Sequence, residues 1–432
     1  MKKIAKKAFR LNKKALQKVI YLSGKAENKL GLNKQSTQIE SKKIDDVIGI
    51  QQFCDSFTYE IRPLNIAKTN RKQAYINFFV PTFDAAGVFG GIATATRIAA
   101  GIAKQKQLPL RVVCIDRVGN LDYLNKFLLQ LGCEEVVREN LIDLSARQDD
   151  IKQVIDFNEK DINIATAWWT AHLLNETKLS NKYIYIIQDF EPIFYNFSDQ
   201  YTYAEYTYKT DNYIPICNTK LLYDFLVLQD YEGIKKHKIF FEPAVDRKLF
   251  KPSEDKKDKK RLFIYGRPTT QRNLMVHALK LVRDSFEKGL LKQEEWEVFI
   301  AGDDSAPSIE LTSNLMAKNL GKMSIEDYGE LAGTIDLAVS LMLAPHPSYP
   351  PLELACSGAA VVTNKYSIKK DLKMYSNNLI TVDLNHNSLL DGIKEATSMS
   401  KKERTLNAHK SQVQDNWDNA LRDTINKVTS LI

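Results

Sequence analysis

The sequence predicts an α/β protein of two doubly wound, Rossmann-like domains, each a parallel sheet wrapped by helices. Three observations carry the prediction. The chain has 432 residues, more than one ordinary domain holds and suited to two. Short apolar runs alternate with amphipathic ones, the pattern of βαβ units. The alternation stops near residue 250, crosses the highly charged stretch Glu254–Arg261, and starts again.

In chain order, residues 1–22 read as a basic amphipathic helix, with Ile4, Ala8, Leu11, Ala15, Val19 and Leu22 at three- and four-residue steps. Gly24 to Ile44 is a polar linker, and 45–70 holds a short element leading into the first domain. The strands expected next are Tyr75–Val80, closed by Pro81, then Arg111–Ile115, Ile162–Ala167, Tyr183–Ile187 and Tyr213–Cys217. Helices are expected at Ala95–Lys104, Leu121–Leu131 and Thr219–Gln229. The second set runs from strand Leu262–Gly266 through helix Arg272–Lys288, strand Trp296–Ala301, helix Ile325–Leu331 and strand Leu337–Leu341. Helix Pro351–Ser357, strands Ala359–Thr363 and Asn378–Val382, and a terminal amphipathic stretch Val413–Ile432 complete it. The predicted parts are an extension over 1–44, a first domain over 45–250, a second over 251–410 and a terminal helix over 411–432.

The formal charge of +8 is informative once located: the first 25 residues carry nine Lys or Arg and no Asp or Glu. The rest is nearly neutral, which argues against a nucleic-acid enzyme, whose basic surface spreads over the folded part. The arm fits an in-plane anchor on anionic lipid, or a solvated helix packed on its own protein. Cys54, Cys114, Cys133, Cys217 and Cys356 form no C-x-x-C pair, so reduced thiols are expected and no zinc spacing is present. No apolar run reaches the 18 residues of a membrane span, so a cytoplasmic chain is expected.

Four motifs carry chemistry. Phe89-Gly90-Gly91-Ile-Ala-Thr94 follows a strand and opens a helix; paired glycines admit a ligand to the backbone, although a plain tight turn has the same composition. Gly266-Arg267-Pro-Thr-Thr-Gln-Arg272-Asn273 sets two guanidiniums in one strand-to-helix loop, a diphosphate clamp unless both arginines are merely solvated. Ala344-Pro-His346-Pro-Ser348-Tyr349-Pro-Pro-Leu352-Glu353 turns into a helix whose first turn can take phosphate or sugar hydroxyls. There Glu353 grips a ribose or simply complements the helix N-terminus, and His346 is a ligand contact or a structural group. In Gln188-Asp189-Phe-Glu191-Pro, acidic groups stand where a strand ends, the ligand-binding edge of open α/β sheets. Asp189 or Glu191 orients an acceptor or assists proton transfer there, and two carboxylates alone do not define a metal site. Trp168 offers a stacking face for a sugar, or packs in the core.

Together these residues resemble the retaining, two-domain glycosyltransferases of family 4, over roughly 75–432. The likeness is carried by Lys322-Met-Ser-Ile-Glu-Asp-Tyr, Asp336-Leu-Ala-Val-Ser340, Pro345…Glu353…Gly358-Ala-Ala-Val-Val362, Phe241-Glu-Pro-Ala-Val-Asp246, Gly266-Arg267…Arg272-Asn273 and Gln414-Asp-Asn-Trp417. Within that family, Phe89-Gly-Gly-Ile…Thr94, Gln188-Asp-Phe-Glu191-Pro and His346-Pro-Ser-Tyr-Pro-Pro-Leu-Glu353 are similar to rhamnosyltransferases that build bacterial surface glycans. The resemblance implies the GT-B arrangement of two domains facing a cleft, with no metal and no cofactor beyond a nucleotide-sugar donor. The implied donor is dTDP-rhamnose, with UDP-sugars as the alternative, and the implied acceptor a lipid-linked or surface glycan. One departure is that the wider family has two glutamates seven residues apart, whereas here Pro345 replaces the first, leaving His346 or Tyr349 to supply donor contacts.

The expected activity is retaining glycosyl transfer. Gly266, Arg267, Arg272, Asn273, His346, Ser348, Tyr349, Leu352 and Glu353 are expected on the donor side. Gly90, Gly91, Thr94, Trp168, Gln188 and Asp189 are expected on the acceptor side, with Asp189, Glu191 and His346 as catalytic candidates. An inactive transferase-like partner subunit and, less favoured, a nucleotide-sugar epimerase are the competing functions. The cytoplasmic face of a membrane is the expected location, and a homodimer stands beside a monomer as an open alternative.

Overall fold

The computed structural model describes residues 49–50, 53–54, 61–84, 90–117, 119–149, 153–177, 179–255 and 257–432. The expected basic helix over 1–22, the linker and Phe89 lie outside these residues. From Thr58 to Ile432 the chain forms one compact unit that holds two seven-stranded sheets.

In the first half the strands are β1 (Asn65–Lys68), β2 (Ile76–Val80), β3 (Leu110–Cys114), β4 (Leu141–Asp143), β5 (Val154–Phe157), β6 (Ile162–Ala165), β7 (Tyr183–Ile187), β8 (Tyr213–Asn218) and β9 (Phe240–Phe241). The main sheet runs β4-β3-β2-β6-β7-β8-β9, all parallel. Both faces are covered, so its strands are apolar throughout rather than alternating. Ile76, Phe78 and Val80 of β2 join one core cluster, while Phe79 joins the other. Helices α1 (Gly90–Lys106) and α2 (Leu121–Gln130) cover the first face; α3 (Trp168–Thr177), α4 (Asp199–Lys209), α5 (Lys220–Leu228) and α6 (Glu232–Lys235) cover the other. Burying each such Phe or Ile is worth about 1.5–3 kcal/mol.

Two features here depart from the pattern read along the chain. β4 is only three residues long, and β5 pairs with β1 in a separate parallel ladder. That ladder is tied to the main sheet by polar groups: Arg111 bonds Asn77 at 2.7 Å and Asp156 at 2.8 Å, and Arg71 bonds Asp156 at 2.8 Å. Hydrophobic periodicity carries no signal for such a junction.

The second half contains β10 (Lys260–Tyr265), β11 (Trp296–Ala301), β12 (Ile309–Thr312), β13 (Leu315–Asn319), β14 (Leu337–Val339), β15 (Ala360–Asn364) and β16 (Leu379–Val382). Their order is β12-β13-β11-β10-β14-β15-β16, parallel except for the antiparallel edge pair β12–β13. Helices α7 (Met275–Glu287), α8 (Ile325–Gly333), α9 (Tyr349–Cys356), α10 (His386–Ser398) and α11 (Lys401–His409) surround it. In both sheets the first strand lies inside and the chain winds outward to either side. Each sheet therefore has a topological switch point, beyond the carboxyl ends of β2 and β6 in one and of β10 and β14 in the other.

Helix α12 (Trp417–Thr429) returns to the first half, where Leu421 and Val428 join the core that lines α1 and β2. Gly101 of α1 makes this approach possible, because a Cβ there would lie 2.4 Å from Ile425 Cδ1. Capping is local and legible: Ser198, Ser324, Ser400 and Asn416 each accept a backbone N–H from the first turn of α4, α8, α11 and α12.

Candidate active site between the two sheets

The carboxyl ends of both sheets meet, and the loops leaving β7 and β10 touch. Asp189, two residues beyond β7, is 5% exposed. Its Oδ2 lies 3.6 Å from Arg272 Nε and its Oδ1 3.4 Å from His346 Nε2, both on the opposite half. Burial works to raise the Asp189 carboxyl, but His346 and Arg272 outweigh it and hold the group below the ordinary carboxylate range. His346 Nδ1 accepts the Ser348 N–H at 3.1 Å, so Nε2 carries the proton and faces the carboxylate.

Arg272 reaches this position because the predicted helix does not begin at residue 272. Gln271–Asn273 is a 3-10 turn, closed by Leu274 in the left-handed region (φ 52°), and α7 starts at Met275. The guanidinium lies 3.8 Å above the ring centroid of Phe194 on the first half. Burial lowers its pKa, opposed by Asp189, and it stays protonated at any working pH. Arg267 lies against Gly302, where a Cβ would come 3.0 Å from Arg267 Cγ, and its Nε is buried without a partner. Asn273 is fully buried beneath the loop, its Nδ2 3.4 Å from Met342 Sδ. Gly266 packs on Met275.

Helix α9 begins after Ser348, a non-glycine residue at φ 69° whose Oγ is buried without a partner. Pro350 and Pro351 lack N–H groups, and the Ser348 N–H is committed to His346. The first turn therefore retains Tyr349 and Leu352 as backbone donors, a poorer anion cradle than the motif suggests. The Leu352 side chain is wholly in the core, so only its backbone can meet a ligand. Burial pushes the half-buried Glu353 carboxyl up to about 7, and the Tyr328 hydroxyl holds it back only in part.

Tyr349 crosses to the first half. Its hydroxyl donates to Thr94 Oγ1 at 3.1 Å, the Thr94 hydroxyl being committed to the Gly90 carbonyl at 2.7 Å. A Cβ on Gly90 would stand 2.7 Å from the Tyr349 ring, so a larger residue here would displace that ring from its contact with the first half. Gly91 faces Gln188, whose amide oxygen and nitrogen are both buried without a partner.

Two expectations need correction. Glu191 does not share the cleft with Asp189. It turns inward, where Oε2 accepts the Trp168 N–H at 2.5 Å and the Tyr185 hydroxyl at 3.1 Å, and burial pushes its carboxyl up to about 8. The two acids therefore do not form a pair of carboxylates at one ligand. Trp168 offers no stacking face: it is 3% exposed, donates from its indole to the Tyr195 hydroxyl at 2.9 Å, and packs with Ile61 and Ala204.

Among the described residues, Gln188, Asn218, Arg267, Arg272, Asn273 and Ser348 bring buried nitrogen or oxygen atoms with no hydrogen-bond partner to these loops, Arg272 having only its longer ion pair to Asp189. Such groups are costly unless a ligand satisfies them. Phe194 and Lys369 also belong here and carry no sequence signal. Lys369 is one of several lysines in Asn364–Lys373, and nothing along the chain tells which is buried.

Both halves of the chain are similar to known proteins. Residues 75–220 match the family described as WsaF, N-terminal domain, and residues 260–394 match WsaF, C-terminal domain. The O-antigen biosynthesis protein RfbC of Myxococcus xanthus is 33% identical over 248 residues, which are 55% of this chain and 18% of that protein. The chain thus spans about a fifth of the length of that relative. Among solved structures, Anabaena Alr3699/HepE in complex with UDP-glucose aligns with a TM-score of 0.54 at 14% identity, over 82% of this chain and 99% of that one. Sucrose-phosphate synthase from Thermosynechococcus elongatus aligns with a TM-score of 0.53 at 10% identity, over 83% and 99%. These two likenesses show the fold, two Rossmann-like domains in the GT-B arrangement.

Proposed function

Because the chain belongs to the WsaF family, with both of that family's domains in order, we propose that it is a retaining glycosyltransferase that moves rhamnose from dTDP-rhamnose to a lipid-linked surface glycan. The observation that carries this reading is the convergence of Arg267 and Arg272, with unpartnered buried polar atoms from both halves, at the carboxyl edges of the two sheets. The O-antigen name of the Myxococcus xanthus relative supports a surface-glycan acceptor.

In this reading the two guanidiniums bind the diphosphate and stabilise charge as it leaves, with no reorganisation at the moment of reaction. Glu353 accepts a hydroxyl of the nucleoside sugar, and Tyr349 with Leu352 supplies backbone donors. His346 presents its Nε2 proton toward the transferred sugar or its phosphate. Gln188 and Asp189 face the acceptor from the first half, with Gly90, Gly91 and Thr94 forming the wall behind them. Asp189, freed from Arg272 when the diphosphate takes that partner, orients the acceptor hydroxyl. Glu191 is a positioning residue, joining the starts of α3 and of the loop after β7. Contact of the halves through Tyr349 and Thr94 excludes water and limits donor hydrolysis.

Thermal unfolding of the full chain with dTDP, UDP, GDP and their sugars tests the donor. The largest rise is expected with dTDP, since a ligand of the native state stabilises it in proportion to ln(1 + [L]/Kd). A larger rise with UDP would reassign the base, and no rise with any of them would remove the reading. Arg272→Ala is expected to lower transfer at limiting donor by about a hundredfold, the scale of a lost charged hydrogen bond. Anchoring by residues 1–22 is part of the same proposal, and deleting them should reduce co-sedimentation with anionic vesicles. No helix among the described residues is long and apolar enough to cross a membrane.

A further inference from the structure

Lysine is almost never fully buried unless paired, yet Lys369 is 0% exposed. Among the described residues its ammonium makes one hydrogen bond, to the Met342 carbonyl at 3.3 Å, and no carboxylate oxygen lies within 4.0 Å. An ammonium left in this state costs far more than one with a counter-ion. The turn that carries it is firmly held. Tyr366 and Lys369 exchange backbone bonds at 3.0 and 2.9 Å, Ser367 sits at φ 49°, and Tyr366 and Ile368 pack on the core of the opposite half.

The surroundings indicate what the ammonium awaits. Met342 precedes Leu343, whose N–H bonds the Arg272 carbonyl at 2.9 Å, so one short loop separates Lys369 from Arg272. Asp189 is the charged group that acts on Lys369, and the same carboxylate contacts Arg272 and His346. With Glu191 pushed up to about 8 and so largely neutral at pH 7, one buried and one half-buried cation share one anion. The cluster carries an excess positive charge that a phosphate would balance.

We propose, on the donor reading above, that Lys369 joins Arg272 and His346 in receiving the distal phosphate of the donor, and that the Asp189 carboxylate now sits in the place this phosphate takes. Burial pushes Lys369 down to about 8 against the opposing pull of Asp189, so its charge is present at pH 7 and lost as pH rises through 8. The other titratable groups of the cluster are Arg272 and His346, which contact Asp189, Glu191, which acts on Asp189 from two residues along the chain, and Tyr366 on the Lys369 turn.

The test is calorimetric titration of the full chain with dTDP and with dTMP, in wild type, Lys369→Met, Lys369→Arg and Arg272→Ala. Lys369→Met should weaken dTDP binding about tenfold while changing dTMP binding less than about twofold, and Lys369→Arg should keep most of the dTDP affinity. Between pH 7 and 9, wild-type affinity for dTDP should fall more steeply than that of Lys369→Arg, whose remaining slope is the Glu191 share. A folded Lys369→Met protein that binds dTDP like wild type, or loses both ligands equally, overturns the proposal. If that variant does not fold, identical pH slopes in wild type and Lys369→Arg overturn it. Loss in Arg272→Ala alone removes only Lys369, whereas intact dTDP binding in Arg272→Ala removes the donor reading itself.

Discussion

Asp189 and Glu191 stand two residues apart and have opposite electrostatic fates. Asp189 faces two cationic or proton-bearing partners and is held ionised, whereas Glu191 faces a backbone N–H and a tyrosine hydroxyl in a dry interior. A Glu whose folded pKa is raised binds a proton in the native state that the unfolded state releases. Stability from this group is therefore unaffected below its unfolded pKa near 4.5 and declines as pH rises from there toward 8. Glu191→Gln keeps the acceptor for Trp168 and Tyr185, and should flatten a decline on the order of a few kcal/mol, read by denaturant melts at pH 5 and pH 8. Asp189→Asn should bind dTDP more tightly than wild type while transferring slowly, because the competing carboxylate is gone. Tighter binding with unchanged transfer would show that Asp189 has no part in acceptor orientation. At Glu353, pushed up to about 7, donor affinity should fall as pH drops from 8 to 6, and Glu353→Gln should remove that dependence.

At the scale of elements, residues of the candidate site were legible because turn chemistry and strand ends mark them. Gly90, Arg267, Arg272, His346 and Glu353 all fall where an apolar run stops and a helix starts. What local pattern did not carry was direction. Leu274 in the left-handed region ends a turn that periodicity reads as helix, and so sends Arg272 across the cleft. Trp168 and Glu191 share the same motif neighbourhood as Gln188 and Asp189, but the turns after β6 and β7 point the first pair inward. Close approach of α1 and α12 rests on Gly101. Gly101→Val should place its side chain into Ile425 and cost about 1–3 kcal/mol, measured as a lower denaturation midpoint.

Over the whole molecule, the two halves are joined by the Tyr375 hydroxyl donating to Glu242 at 2.7 Å, by Tyr349 on Thr94, and by α12 returning to the first core. Removing residues 417–432 should expose the core that Leu421 and Val428 cover, at about 1.5–3 kcal/mol for each apolar side chain. The truncated chain is expected to melt earlier and to lose transfer before it loses dTDP binding, since the loops proposed to hold the donor lie on the other half. Equal loss of both would mean that the halves do not act separately.

The sequence alone determined the fold class and the family, because hydrophobic period, turn residues and the spacing of motifs are properties of neighbours along the chain. Which side chains meet at the candidate site was decided only by the tertiary structure. Burial and charge pairing depend on groups 80 to 180 positions apart, as between Asp189 and Arg272, Asp189 and His346, or Asp189 and Lys369. Solvation and Coulomb energy follow distance in space, which no pattern of neighbours records.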